Sequence, residues 1–253
     1  MILNQEKIYI GSCCGNSFII LDCRNVELNR KYKIDFSSKN IVKYGVDSAL
    51  FINNAKGFDI SIEIFEKDGS ESESCGNGIM LVSYLLGIKK GTIKLKNTDV
   101  TVKNSLKEQA ILMNIKFLHT EEIIDETNCL FIKAGEPHVV YLVDNLNNID
   151  LIKVGRKLQE RYPNGVNVDI IQKISEFHYL IKTFERGVFA QTKSCGTGSL
   201  SSYVAISHLN DKIYKRPIRF ESSGGYHWVS RERNMIKLKS LKKYCKIKDI
   251  LIK

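Results

Sequence analysis

Two short stretches decide how this chain is read: Ser74-Cys75-Gly76-Asn77-Gly78 and Ser194-Cys195-Gly196-Thr197-Gly198. They are the same motif met twice, at an offset of 120 positions from Cys75 to Cys195. Three further pairs keep that order and nearly that offset. Gly45-Val46-Asp47 returns as Gly165-Val166-Asn167, and Phe65-Glu66-Lys67 as Phe184-Glu185-Arg186. Gly15, ahead of Ser17-Phe18-Ile19-Ile20-Leu21-Asp22, returns as Gly135, ahead of His138-Val139-Val140-Tyr141-Leu142-Val143-Asp144. One coincidence would mean little, but four in register argue for two copies of one unit.

Each copy has the same coarse layout. Apolar, β-rich runs come first, at 17–21, 49–52 and 60–65, then at 139–143, 169–172 and 177–184. The Cys-Gly-x-Gly turn follows and opens an apolar helical segment, at 79–86 and 200–209. Further strand-like runs close each copy, at 92–95, 98–102 and 110–115, then at 218–221, 226–230 and 235–238. The expected fold is α+β, in two pseudo-symmetric repeated domains, each a β-sheet barrel wrapped around a central helix. The division is expected in the polar stretch 117–128, giving residues 1–117 with Cys75 and residues 118–253 with Cys195. The active site is expected in the cleft between them.

The 253 residues carry 43% hydrophobic and 26% charged side chains, an ordinary globular balance. No apolar run nears the roughly 18 residues of a membrane span, and Met1–Lys7 lacks the order of a signal peptide. A cytoplasmic location without membrane association is expected. Seven cysteines, an odd number in a long chain, speak against a disulfide framework. No Cys-x-x-Cys occurs and the five histidines are scattered, so no metal site is expected. The formal charge of +10 raises nucleic acid as a partner. The excess is concentrated in Lys237, Lys239, Lys242, Lys243, Lys246, Lys248 and Lys253, without the interleaved aromatic residues of a base-stacking surface. These lysines read as a solvated basic end, and no nucleic-acid partner is expected.

A glycine-rich turn leading into a helix presents backbone N–H groups at the positive end of the helix dipole, where an anion such as a carboxylate binds. Two copies can aim two such ends at one ligand, each with a cysteine. A helix start lowers a thiol pKa, so one thiolate and one thiol are expected to coexist near neutral pH. One takes the α-proton from one face of an amino acid and the other returns a proton to the opposite face. No cofactor is needed. Cys13, Cys14, Cys23, Cys129 and Cys245 lack repeat partners and read as structural.

At these residues the chain resembles the diaminopimelate epimerases and their cofactor-independent racemase relatives, over nearly its whole length. Gly15-Asn16-Ser17-Phe18, Asp68-Gly69-Ser70 through Cys75-Gly76-Asn77-Gly78, Pro137-His138, Gly165-Val166-Asn167, and Glu185-Arg186-Gly187 with Cys195-Gly196-Thr197-Gly198 carry the resemblance. It implies Cys75 and Cys195 as the acid/base pair. It also implies an α-carboxylate held by the backbones of Gly76, Asn77, Gly196 and Thr197, with Asn16, Asn167, Glu185 and Arg186 lining the rest of the pocket. Three positions depart from the family pattern: Ser48 stands for a Gln, and Glu66 and Glu136 each stand for an Asn. Two added carboxylates would repel the far carboxylate of diaminopimelate. A cationic or hydrogen-bond-donating side chain fits better, and histidine is the first choice, since the family includes histidine racemases. Arg186 then has Glu66 or Glu136 as its partner. Diaminopimelate epimerase is the alternative. A non-catalytic binding protein on the same scaffold is the third reading, which two matched thiols argue against. The small-molecule partner is an amino acid, and a homodimer is compatible with it. His138 reads as a structural residue beside a strand.

Overall fold

In the computed structural model, which describes residues 7–114, 118–124 and 127–250, the two motifs begin two helices built alike. Residues 1–6 and 251–253, Phe117 at the expected division, and Asp125 and Glu126 lie outside the described residues. The first copy runs β1 (Lys7–Cys13), β2 (Asn16–Asp22), α1 (Arg30–Tyr44), β3 (Ser48–Asn53), β4 (Ile60–Phe65), β5 (Glu71–Ser72), α2 (Gly76–Leu85), β6 (Lys90–Lys94), β7 (Asp99–Lys103), β8 (Glu108–Met113) and β9 (Leu118–Ile124). The second repeats the series: β10 (Thr127–Ala134), β11 (Glu136–Val143), α3 (Leu151–Arg161), β12 (Asn167–Ser175), β13 (His178–Glu185), β14 (Ala190–Thr192), α4 (Gly196–Leu209), β15 (Ile218–Ser222), β16 (Gly225–Glu232), β17 (Met235–Leu241) and β18 (Lys246–Ile250).

The pairings repeat as well. β2 lies parallel to β3, and β11 parallel to β12. β4 lies parallel to β6, and β13 parallel to β15. The closing strands change places: β9 ends the first copy but pairs with β10, and β18 ends the second copy but pairs with β1. β8 also pairs with β17, so the copies are knitted through hydrogen-bonded backbone as well as side chains.

Helices α2 and α4 are apolar and buried on nearly every side, the pattern of a helix inside a core. α2 packs against β1, β2 and β8, and α4 against β10, β11, β12, β16 and β17. Ile79, Leu81, Leu200 and Ile206 meet in one core with Leu50, Ile111, Val229 and Leu238. The architecture is α+β, as expected.

The expectation of one helix per copy is corrected. α1 and α3 lie outside the strands, over separate apolar clusters around Phe36, Phe51 and Phe65, and around Leu158, Val168 and Phe184. α1 has complete end signals. The Asn29 side chain accepts the Tyr32 N–H at 2.8 Å, and Gly45 takes the left-handed conformation at φ 62°, with Gly45 and Val46 N–H groups closing onto the last turn. Lys237 and Lys239 alternate in β17 with buried Ile236, Leu238 and Ser240, and Lys246 and Lys248 lie in β18, so this segment completes the sheet. Lys253 lies outside the described residues. No helix among the described residues is long and apolar enough to cross a membrane.

Candidate active site

Cys75 and Cys195 are the N-cap residues of α2 and α4. The Cys75 sulfur accepts the Gly78 N–H at 3.4 Å, and the Cys195 sulfur the Gly198 N–H at 3.3 Å. The two helix starts abut. A β-carbon on Gly76 would stand 2.7 Å from Leu238 Cδ2 and 3.3 Å from the Gly196 Cα, so a larger residue would crowd the approach. Together the starts line one cavity of about 30 Å³. All thirteen residues nominated from the sequence line it: Asn16, Ser48, Glu66, Cys75, Gly76, Asn77, Glu136, Asn167, Glu185, Arg186, Cys195, Gly196 and Thr197. Sequence reasoning missed Ser72 and Ser74, which complete the wall; both belong to the quoted first motif block, just before Cys75.

The surroundings of the thiols differ. On one side, Cys75 donates to Asn16 Oδ1 at 3.7 Å, and Asn16 Nδ2 donates to Asp47 at 2.9 Å. On the other, Cys195 lies 3.3 Å from Thr197 Oγ1, which is 3.0 Å from His138 Nε2, while His138 Nδ1 is 2.7 Å from Asp169. A neutral imidazole that donates its Nδ1–H to Asp169 leaves Nε2 to accept from the threonine hydroxyl and, at 3.3 Å, from the Asn167 amide. The chain Cys195–Thr197–His138–Asp169 can therefore draw a proton away from the sulfur. His138, expected as a structural residue, is fully buried two hydrogen bonds behind a thiol; its register partner on the parallel strand β12 is Asn167, two residues before Asp169.

The expected lowering of a thiol pKa is corrected. Burial, and then the Glu185 carboxylate, push both Cys75 and Cys195 above the ordinary thiol value in the ligand-free site. Each hydrogen bond from a helix-start N–H pulls down, but by less. A cation entering beside Glu185 would cancel the largest charge acting on both sulfurs.

The acids are held in different ways. Glu136 Oε1 accepts the Ser74 N–H at 3.0 Å and the Glu73 N–H, and Oε2 pairs with Arg186. It is thus Glu136 that takes Arg186, whose other terminal nitrogen donates to the Asn164 carbonyl at 2.8 Å. Glu66 accepts from Ser48 at 2.9 Å and Ser72 at 2.7 Å; burial raises it to about 7. Glu185 accepts from Thr192, and burial raises it to about 8. The Asn77 side chain turns away toward the second copy, with its amide nitrogen 2.9 Å from Ser194 Oγ and its oxygen 3.0 Å from His227 Nε2. Asn167 accepts the Arg186 N–H at 2.9 Å and donates to the Pro137 carbonyl at 3.2 Å, fixing both strand ends at the site.

The model of the family "Diaminopimelate epimerase" matches residues 130–238. Among curated proteins, diaminopimelate epimerase of Thermotoga maritima is 30% identical, with 92% of this chain and 98% of its own length covered. That of Flavobacterium psychrophilum is 30% identical, over 88% of this chain and 90% of its own length. Among solved structures, a hydroxyproline epimerase from Agrobacterium vitis, with bound trans-4-hydroxy-L-proline, superposes with a TM-score of 0.71 at 10% identity, covering 97% of this chain and 90% of its own. A phenazine biosynthesis protein of the PhzF family from Bacillus anthracis gives 0.70 at 15% identity, covering 98% and 99%. The structures share the fold. With the sequence relatives matched at 30% identity along most of both lengths, the chain belongs to the diaminopimelate epimerase family and is an isomerase of the racemase/epimerase type.

Proposed function

We propose that this enzyme inverts the α-carbon of an amino acid by moving its α-proton between Cys75 and Cys195, without a cofactor, in the cleft between two units that divide near residue 117. One observation carries this reading: two cysteines cap two abutting helices and line a single cavity. The α-carboxylate lies on the N–H groups of Gly76, Asn77, Gly196 and Thr197, where charge developing at Cα is stabilised. The α-ammonium lies against Glu185 and relieves that carboxylate's hold on the thiols. The Thr197–His138–Asp169 chain takes the proton that readies Cys195 as a base. Seven free thiols fit a reducing compartment such as the cytoplasm.

For the substrate, diaminopimelate has the wider support, since the curated relatives first matched carry that name. A feature of this pocket favours a second reading, an amino acid with a cationic or donating side chain, histidine foremost. Arg186 is occupied by Glu136, and Glu66 adds a second acid. Chiral chromatography after incubation with pure stereoisomers of diaminopimelate and of histidine tests both readings. Inversion of either, lost in Cys75→Ala and in Cys195→Ala, supports the reaction; inversion that survives both substitutions contradicts it.

A further inference from the structure

Beyond the cavity at the thiols lies a chamber of about 540 Å³. Glu66, Ser72 and Arg186 line both spaces. The inner cavity, at about 30 Å³, has room for little more than a water molecule. A substrate with its Cα between the sulfurs must therefore send its side chain past Glu66 and Arg186 toward the chamber.

The charges along that path favour a cation. Glu66, Asp68, Glu71 and Glu73 face the chamber against Lys96 and Arg186, in a protein whose formal charge is +10. Two of these acids are already paired, and the exposed Asp68 accepts the Ser70 N–H at 2.9 Å. Glu71 has Arg30 and Lys96, and Glu73 has Lys133 at 3.8 Å. Glu66 is 9% exposed and has two serine hydroxyls but no ion-pair partner among the described residues. A buried carboxylate without a countercharge is costly. Arg186, the one guanidinium at the gate, has its terminal nitrogens on Glu136 and the Asn164 carbonyl. The gate thus holds one acid awaiting a cation and no cation awaiting an acid.

We infer that Glu66 is the specificity-determining residue, and that the substrates are amino acids whose extended aliphatic side chain ends in an ammonium group, the lysine and ornithine class. The inference rests on the two-cysteine reading above and narrows its cationic-side-chain reading, putting lysine and ornithine in the place of histidine. Lysine has the reach of diaminopimelate without its far carboxylate. Its α-ammonium matches Glu185 and its side-chain ammonium matches Glu66, so both free carboxylates of the site are neutralised by one ligand.

The test compares steady-state inversion of L-lysine, L-norleucine, L-histidine and diaminopimelate by the wild type and by Glu66→Gln, which keeps acceptor and donor atoms for Ser48 and Ser72. Norleucine is the neutral counterpart of lysine. A hydrogen-bonded charge pair corresponds to about a 10- to 100-fold effect. The wild type is expected to prefer lysine over the other three by at least about tenfold in kcat/KM. Glu66→Gln is expected to raise KM for lysine by about 10- to 100-fold while norleucine changes by less than about threefold. Diaminopimelate, histidine or norleucine turned over by the wild type as well as lysine would overturn the inference and leave the two-cysteine reading standing. Equal loss for lysine and norleucine in Glu66→Gln would also overturn it. Inversion of none of the four would overturn both.

Discussion

Gly196 and Gly76 meet where helices α4 and α2 begin: a β-carbon on Gly196 would stand 3.1 Å from the Gly76 Cα and 3.0 Å from Leu238 Cδ2. The contact sets the distance between the two helix starts, and with it the spacing of Cys75 and Cys195. Gly196→Ala must push backbone against backbone, since one of its obstacles is a Cα. We expect it to destabilise the fold by about 1–3 kcal/mol, as overpacking does, with a lower melting temperature. Inversion should fall further than the unfolded fraction explains. Wild-type activity in Gly196→Ala would show that the spacing of the helix starts does not matter.

The thiols should be individually indispensable. Each of Cys75→Ala and Cys195→Ala removes one proton carrier, and we expect each to lower the inversion rate by about 10²–10⁴-fold, the usual contribution of a positioned acid or base. The stability of both variants to thermal unfolding should fall by no more than the loss of one helix cap, about 0.5–2 kcal/mol, leaving folded protein at the assay temperature and separating chemistry from folding.

Glu66 and Glu185 give the ligand-free protein a definite pH dependence. Burial raises them from an ordinary value near 4.5 to about 7 and about 8. Between those limits the native state keeps protons that the unfolded chain has released. Their contribution to stability is therefore greatest at low pH and fades as pH rises through 7 to 8. We expect a lower melting temperature at pH 8 than at pH 6, and a shallower fall in Glu66→Gln. For a lysine-type substrate the sign reverses: its ammonium binds the ionised acids, so KM should drop as pH rises from 6 to 8. A KM that rises over that range would exclude a carboxylate as the side-chain partner.

The pairing of Glu136 with Arg186 can be undone. Glu136→Gln keeps an acceptor for the Ser74 N–H but loses the countercharge of the guanidinium. The freed Arg186 should then accept a second carboxylate. We expect the preference for diaminopimelate over lysine to rise by about tenfold, the scale of one charge-assisted hydrogen bond. An unchanged ratio would mean that Arg186 takes no part in side-chain recognition.

Much of this site could be read from the residues because the cysteine motif occurs twice, 120 positions apart. Cys75 and Cys195, with the glycines after them, recur because each begins a buried helix at the same place. β17 was legible because its inner and outer residues alternate strictly, and β2 and β3 because they hold continuous apolar runs. α1 was not, because the residues it buries include Lys33, Ser37 and Asn40, and Lys33 is covered through an ion pair with Glu63. Apolar periodicity is blind to that kind of packing, though Asn29 and Gly45 marked both ends. The pairing of β18 with β1 also left no local trace, since pairing across more than two hundred residues is set by the whole sheet. The raised thiol pKa values were missed for a related reason: a helix start is visible in sequence, while the depth that outweighs it is not.

The measurement that bears most directly on the two-cysteine account is α-proton exchange followed by NMR in D2O, under reducing conditions and without added cofactor, with lysine, histidine and diaminopimelate. The account expects the α-proton signal of at least one of them to disappear with wild-type protein and to persist on the same timescale with Cys75→Ala and Cys195→Ala. Exchange that continues unchanged in both variants, or no exchange of any amino acid by the wild type, would contradict it.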